Sequence, residues 1–330
     1  MEVLSAGAEI NMIFEKQMEK IYKNMMFTRC DDTETVFYFS ASDFIGLKEE
    51  KYIFKSSMGH DLVGYIYNYD NPINNRIVIF DHGFGGGHKA YMKEIEMLCK
   101  YGYMVFAYDH TGCMESGGEN PNGLAQSLCD LNDCVTTIKN DARFNLFDIN
   151  VVGHSWGAFS TLNIAKLHPE ISHIVAMSGF VSVEEMIKTF FAGPLKLFRK
   201  TILELEKKSN PVYFEFNAID SLSNTNTKAL LIYSSDDHLC KKNHFDMLKA
   251  GLSSNENISF MLVDNKAHNP NYTIDAVKLL NDFVKAKTKF LKGKNITRED
   301  RIQFSKSFDW DKMTTQDENI WQEIFNHLNN

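Results

Sequence analysis

Ser155 is the residue of this sequence best placed to act as a nucleophile. It is the central residue of the pentapeptide Gly-His-Ser-Trp-Gly at residues 153–157, which follows a short apolar run and precedes a helix-compatible stretch, residues 158–167. A serine at a sharp strand-to-helix turn is held in a strained conformation that exposes its hydroxyl, and the flanking glycines avoid collisions within the crowded turn. The pattern therefore predicts a nucleophilic serine. The alternative is a chance match to the pattern in an ordinary loop.

A base and an acid for this serine follow later in the chain. A serine hydroxyl is a weak nucleophile until a base removes its proton, and the base needs a third group to orient it. Asp237 comes directly after one predicted strand, and His268 comes directly after the next. The order serine, aspartate, histidine is typical of a nucleophile held at a strand-to-helix turn. We expect these three residues to form a catalytic triad. Asp236 is the alternative acid, and a structural role is the alternative for His268.

The elements that would position these residues alternate along the middle of the chain. Short apolar runs, typical of strands buried on both faces, alternate with helix-compatible stretches. This pattern predicts the α/β class, with a mostly parallel sheet of about eight strands flanked by helices. We expect a helical extension at residues 1–50, a core at residues 51–290 and a second helical extension at residues 291–330. A helical insertion at residues 181–226 is expected to lie over the site as a lid, with an ordinary long crossover helix as the alternative.

The composition limits the class of protein. The 330 residues are 44% hydrophobic and 24% charged, and their formal net charge of −8 argues against nucleic-acid binding. No run approaches the roughly 18 consecutive apolar residues of a membrane span, and the first residues lack the basic region and apolar core of a signal peptide. Six cysteines without a Cys-x-x-Cys pair or zinc-binding spacing predict reduced thiols. We therefore expect a cytoplasmic protein that holds no metal.

Three motifs together resemble those of the α/β-hydrolase superfamily, in its esterase, lipase and serine-aminopeptidase-like group. They are the Gly-x-Ser-x-Gly pentapeptide, the His-Gly loop at residues 81–86 and the loop at residues 109–118, and the resemblance extends over residues 52–290. It implies the α/β-hydrolase fold with a small helical lid. It also implies that the backbone N–H groups of Phe84 and Trp156 form an oxyanion hole, and that no cofactor is needed.

The resemblance also bears on the choice of the acid. Members of the superfamily carry the acid three residues after the small residue that ends the strand, which favours Asp237 over Asp236. Some members carry it after the sixth strand instead, where Glu184 and Glu185 are the candidates in this chain. By the same resemblance, His82 is expected to be structural and to pack beneath the oxyanion loop.

These features predict a serine hydrolase that cleaves a carboxylic ester or a thioester through an acyl-enzyme intermediate, with a small-molecule acyl substrate. Ala158 stands where similar peptidases often have a second glycine, which favours an ester over a peptide. A serine peptidase or amidase is the alternative enzyme. A non-catalytic binding protein of the same fold is the alternative from another class. The sequence leaves the oligomeric state open.

A competing hypothesis, dinucleotide binding, rests on the same glycine-rich loop. Residues 85–90 fit a relaxed dinucleotide fingerprint, and Asp109 falls near the distance expected of an acid that binds a ribose. The first glycine of that fingerprint should follow its strand closely, however, whereas residues 81–84 intervene here. A dehydrogenase would also leave the predicted triad unexplained. We therefore favour the hydrolase.

Overall fold

An eight-stranded sheet forms the centre of the protein. The computed structural model describes residues 2–73 and 75–330, with side chains from residue 13 onward, so Met1 and Asn74 of the predicted domains lie outside the described residues. The strands are β1 (Lys48–Lys55), β2 (Asp61–Asn68), β3 (Arg76–Asp81), β4 (Met104–Tyr108), β5 (Asp148–His154), β6 (His173–Met177), β7 (Lys228–Ser234) and β8 (Ile258–Val263). Their order in the sheet is β1-β2-β4-β3-β5-β6-β7-β8. The pairs β1–β2 and β2–β4 are antiparallel and the other five are parallel. The prediction of a mostly parallel sheet of about eight strands is therefore confirmed.

The central strands form because they are apolar on both faces. Every residue of β6 is buried, and in β3 and β7 only the first residue is partly exposed. Such strands must lie between two layers of helices. β1 differs, since it lies at the edge of the sheet and exposes the charged run Lys48 to Lys51. Charges on an edge strand discourage pairing with another chain.

Helices cover both faces of the sheet. They are α1 (Glu2–Met26), α2 (Met92–Lys100), α3 (Gln126–Asn140), α4 (Trp156–Ile164), α5 (Val183–Phe190), α6 (Arg199–Ser209), α7 (Ala218–Leu222), α8 (Lys242–Leu252), α9 (Ile274–Phe290), α10 (Arg298–Lys306), α11 (Trp310–Met313) and α12 (Glu318–Asn329). Residues of α2 and α12 pack in the core on one face, and residues of α3, α4 and α8 pack in the core on the other. In the described part of the chain, none of the helices combines the length and the apolar character that crossing a membrane requires.

The chain between β6 and β7 contains α5, a 3-10 helix (Gly193–Phe198), α6 and α7. These helices lie within the residue range of the predicted insertion. Helix α6 is fixed to helix α1 by a buried carboxylate. Glu206 accepts a hydrogen bond from the Tyr22 hydroxyl at 2.6 Å and another from the backbone N–H of Leu124 at 2.7 Å. The N-terminal helix is therefore packed against the insertion. The role of the insertion as a lid stays a prediction.

The irregular segment after α1 is tied to the loop that follows β4. The backbone N–H of Cys30 donates to the carbonyl of Gly112 at 3.0 Å, and the N–H of Met114 donates to the carbonyl of Cys30 at 3.1 Å. The Arg29 guanidinium donates to the carbonyls of Met114 and Ser116. These bonds fix the N-terminal segment beside the sheet edge where the predicted site lies.

Candidate active site

Ser155 lies at the sharp turn between β5 and α4. Its backbone is in a strained region with φ 56° and ψ −112°. The two flanking glycines are required by close backbone approach. A Cβ on Gly153 would lie 2.2 Å from Thr161 Oγ1, and a Cβ on Gly157 would lie 2.1 Å from the carbonyl oxygen of Asp81. No larger residue fits either position without moving the backbone, so the strand and helix meet closely enough to hold the serine at the tip of the turn.

The structure brings the three predicted triad residues together in one chain of hydrogen bonds. His268 Nε2 lies 2.8 Å from Ser155 Oγ, and His268 Nδ1 lies 2.7 Å from Asp237 Oδ2. The other carboxylate oxygen of Asp237 accepts the backbone N–H groups of Leu239 and Cys240 at 2.8 and 3.1 Å. These bonds fix the carboxylate and aim it at the imidazole. Such an arrangement is able to orient a base toward a serine hydroxyl.

The alternative acids make other contacts. Asp236 accepts the backbone N–H groups of Lys266 and Ala267, each at 3.2 Å, and thereby braces the turn that leads to His268. Glu184 and Glu185, at the start of α5, form ion pairs with Lys188. Of the four acids considered, the structure places Asp237 against the His268 imidazole.

A buried relay joins the oxyanion loop to the loop that carries His268. The backbone N–H of Gly83 donates to the Tyr91 hydroxyl at 3.1 Å, and that hydroxyl donates to His154 Nδ1 at 2.9 Å. His154 Nε2 in turn donates to the backbone carbonyl of His268 at 2.8 Å. Burial, reinforced by the nearby His268 ring, lowers the pKa of His154 to about 3. The ring is therefore neutral at physiological pH, with one nitrogen accepting and the other donating, as the relay requires.

Sequence reasoning did not find the relay. His154 stands inside the serine motif, but Tyr91 is 63 residues away in the chain, in a helix-compatible stretch with no distinguishing pattern. Only the fold shows that the side chains meet.

The two predicted oxyanion donors flank Ser155. Neither the backbone N–H of Phe84 nor that of Trp156 has a hydrogen-bond acceptor among the residues that the structure describes. The Phe84 and Trp156 rings pack edge to face with centroids 5.1 Å apart, and Trp156 Nε1 donates to the carbonyl of Leu124 at 2.7 Å. Both side chains are thus anchored, and the role of the two backbone N–H groups as an oxyanion hole stays a prediction.

His82 lies beneath this loop. Its Nδ1 donates to the carbonyl of Gly83 at 2.8 Å, and its Nε2 accepts the backbone N–H of His110 at 3.0 Å. The ring is fully buried, and burial lowers its pKa to about 3, so it is neutral. The His82 imidazole therefore supports the backbone of the oxyanion loop from below.

An apolar cavity of about 240 Å³ opens beside Ser155 and His268. Its apolar walls include Met26 at the end of α1, Phe84 of the oxyanion loop, Met186 and Phe190 of α5, and Leu239 after β7. The predicted insertion therefore contributes directly to the walls of the site.

The glycine-rich loop does not have the geometry of a dinucleotide site. Asp109, the candidate ribose ligand, is buried and accepts both the backbone N–H of His88 at 2.9 Å and its ring Nδ1 at 2.7 Å. The carboxylate also accepts the backbone N–H of Glu115 at 3.1 Å. Asp109 therefore holds the loops together and is not placed as a ribose ligand.

One group of side chains has the spacing of a metal site. Atoms of Cys129, Asp130 and Asp133 lie within 4.8 Å of one another. The carboxylate of Asp130, however, accepts hydrogen bonds from Thr111, and that of Asp133 accepts the backbone N–H of Ser57 at 2.7 Å. We therefore assign no metal to this group.

Comparison with known proteins identifies the family. The sequence model of the alpha/beta hydrolase fold matches residues 76–259, which is more than half of the chain. The chain belongs to this family. The resemblance inferred from the motifs is thereby confirmed.

The chain is similar to two curated proteins over part of their length. It is 24% identical over 139 residues to the putative carbamate hydrolase RutD of Agrobacterium fabrum, a match that covers 41% of this chain and 51% of RutD. It is 29% identical over 126 residues to the uncharacterized protein YqkD of Bacillus subtilis, covering 38% of this chain and 40% of YqkD. The chain therefore spans about half, or less, of the length of these relatives.

The chain also resembles a solved structure, the esterase Pf2001 of Pyrococcus furiosus. The TM-score is 0.58 at 21% sequence identity, and the match covers 81% of this chain and 98% of that one. A likeness at this identity shows that the two proteins share a fold.

Proposed function

We propose that the protein is a serine hydrolase that cleaves a carboxylic ester or a thioester. The observation that carries the proposal is the unbroken chain of hydrogen bonds from Ser155 through His268 to Asp237. The fold shared with the esterase Pf2001 supports it. A non-catalytic binding protein would have no need of a serine, a base and a buried acid in this arrangement.

The reaction proceeds through an acyl-enzyme intermediate. His268 Nε2 accepts the proton of Ser155 as Oγ attacks the acyl carbon, and His268 returns that proton to the leaving group when its bond to carbon breaks. A water molecule, deprotonated by His268, then attacks the acyl-enzyme, releases the acid and restores the serine. Asp237 holds the proton on Nδ1 and stabilises the imidazolium that forms in each step.

The oxyanion formed in both steps is stabilised by the backbone N–H groups of Phe84 and Trp156. Since neither group has another acceptor in the described part of the chain, both are available to the oxyanion. Each such donor typically contributes about 10²–10³-fold to the rate.

The apolar cavity supports a small acyl group as the part of the substrate bound next to Ser155. An apolar cavity of about 150 Å³ is known to bind benzene. The cavity here is about 240 Å³, which is enough for a short acyl chain or a single ring. The apolar walls from α5 favour hydrocarbon over a charged group.

The proposal is tested by replacing Ser155 with alanine and measuring hydrolysis of p-nitrophenyl butyrate. The rate should fall by about 10⁶-fold, because the triad acts as a unit. A fluorophosphonate probe should label the wild-type protein and not the variant. The matched control is Ser42→Ala, since Ser42 is an exposed serine remote from the triad in the sequence. Turnover or labelling that persists in a folded Ser155→Ala protein contradicts the proposal.

Amide or carbamate hydrolysis is the second candidate. The relative RutD carries the name of a putative carbamate hydrolase, and the same triad chemistry can cleave a C–N bond. A matched pair of substrates, p-nitrophenyl butyrate and butyryl-p-nitroanilide, separates the two because the acyl group is identical. We expect a higher kcat/KM for the ester, and the opposite order would favour the amidase.

We further propose that the protein works in a reducing compartment such as the cytoplasm. All six cysteines are buried and free of disulfide bonds. Thiols persist in this state where glutathione keeps them reduced.

A further inference from the structure

A second cavity, of about 220 Å³, lies against the oxyanion loop. It shares Gly83, Phe84 and Tyr91 with the apolar cavity described above, so the two cavities meet at this loop. Its other walls include Tyr38, from the segment after α1, and Asn269, the residue that follows His268. None of the residues that line it carries a charge. The cavity therefore adjoins the oxyanion loop and the acyl cavity, but differs in chemistry from the acyl cavity.

Two polar side chains in this cavity have unused hydrogen-bonding capacity. Neither the Tyr38 hydroxyl nor the Asn269 amide has a partner among the side chains and backbone groups that the structure describes. The Tyr38 hydroxyl lies over the oxyanion loop, at 3.9 Å from the place where Gly86 would carry a Cβ. Burial raises the pKa of Tyr38, so the hydroxyl keeps its proton and can donate. Together the two side chains offer both donors and acceptors without any charge.

The segment that carries Tyr38 is anchored to the C-terminal helices. Asp32 pairs with Lys287 of α9 at 2.7 Å, and Glu34 pairs with Arg301 of α10. Burial would raise the pKa of Asp32, but the hydrogen bonds from Lys287 and Thr35 together outweigh it, and the pKa is lowered to about 2. Val36 packs against the cluster that includes Trp310. Tyr38 is thus held in a fixed part of the structure that is able to form a binding wall.

The position of Asn269 indicates which part of a substrate would bind in this second cavity. In the proposed reaction, His268 hands its proton to the leaving group, so the leaving group must lie beside that imidazole. Asn269 is the next residue in the chain and faces this cavity. The acyl group has its own apolar cavity, which meets this one at the oxyanion loop.

We propose that this cavity binds the leaving group of the substrate, and that the leaving group is an uncharged alcohol carrying additional hydroxyls, such as a glyceryl group. The inference rests on the proposed serine-hydrolase function and adds the class of alcohol. Tyr38 and Asn269 bind the extra hydroxyls, and the uncharged walls discriminate against ionic leaving groups such as phosphorylated alcohols.

The test compares glyceryl monobutyrate with propyl butyrate, which have the same acyl group and the same three-carbon alcohol skeleton. Wild-type protein should show a higher kcat/KM for the glyceryl ester. A hydrogen bond to an uncharged partner is worth a factor of about 2 to 12. Tyr38→Phe, which removes one hydroxyl, should lower the ratio of the two kcat/KM values by that factor, and Asn269→Ala should lower it as well. Tyr101→Phe is the matched control, because the Tyr101 hydroxyl bonds Gln322 of α12.

The outcomes separate this inference from the proposed function. Equal kcat/KM values for the two esters, or a ratio that neither variant changes, would overturn the leaving-group site and leave the serine hydrolase intact. Failure to cleave these esters and p-nitrophenyl butyrate alike would overturn both. A Tyr38→Phe protein that does not fold leaves the comparison with Asn269→Ala and the wild-type ratio to decide.

Discussion

Glu206 should make the stability of the protein fall as the pH rises. Its carboxyl group is buried between α6, Tyr22 and the backbone of Leu124. Burial is the largest influence and raises its pKa to about 7, from an ordinary value of 4.5. Below about pH 4.5 both the folded and the unfolded protein hold the proton. Between pH 4.5 and 7 only the folded protein holds it, so raising the pH favours unfolding.

The size of the effect follows from the two pKa values. A change in pKa from 4.5 in the unfolded protein to about 7 in the folded protein corresponds to about 3 kcal/mol of unfolding free energy. This stability is lost as the pH rises from 4.5 to 7, and the loss does not grow further above pH 7. Glu206→Gln removes the titrating group and keeps one acceptor oxygen. The amide oxygen then accepts the N–H of Leu124, and the amide nitrogen donates to the Tyr22 hydroxyl, which accepts as well as donates. The variant should therefore be close to wild type in stability at pH 4.5 and lose less stability at higher pH.

Urea unfolding at several pH values between 4 and 8, followed by circular dichroism, measures this difference. The quantity to compare is the change of unfolding free energy with pH, variant against wild type, in which a constant offset cancels. The comparison of variant with wild type also removes the contribution of Glu94, whose pKa is likewise raised by burial to about 7. Glu204→Gln, at an exposed position of the same helix, should follow the wild-type curve. Parallel curves for Glu206→Gln and wild type would refute the reasoning.

Two further predictions concern the active site. Asp237→Asn should lower kcat for p-nitrophenyl butyrate by about 10⁴-fold, because the amide no longer holds His268 in the required tautomer. Asp236→Asn should lower kcat less than tenfold. Similar losses in the two variants would contradict the assignment of the acid. Tyr91→Phe leaves the N–H of Gly83 and a nitrogen of His154 buried without a partner, so kcat should fall about tenfold to a hundredfold with a smaller change in KM. A Tyr91→Phe protein with wild-type kcat would show that the relay does not position the reacting groups.

The parts of the fold that sequence reasoning could predict are those dictated by local rules. Strands buried on both faces leave continuous apolar runs, and the crowded turn at Ser155 admits only glycine at residues 153 and 157, so both are visible in the sequence. The resemblance to the superfamily favours Asp237 over Asp236, and the structure places Asp237 against His268.

The remaining features depend on contacts between distant residues. Tyr91 reads as one aromatic residue among many until the fold places it against His154. The segment after α1 has no periodic pattern, since its structure is set by hydrogen bonds from Arg29 and Cys30 to a loop more than eighty residues away. The cavity wall formed by Tyr38 was missed for the same reason. Long-range pairing of polar groups leaves no local signature in a single sequence.

The contact between α1 and α6 also constrains how the chain reaches its final form during synthesis. Tyr22 and its partner Glu206 are 184 residues apart, so α1 leaves the ribosome long before the helix that covers it exists. At synthesis rates of 5–20 residues per second, this interval is about 10 to 40 s. During that time Tyr22 lacks the Glu206 carboxylate, and Met26 is present before the α5 residues that complete the acyl cavity with it. The chain therefore closes the acyl cavity and joins α1 to α6 only after more than half of its residues have been made.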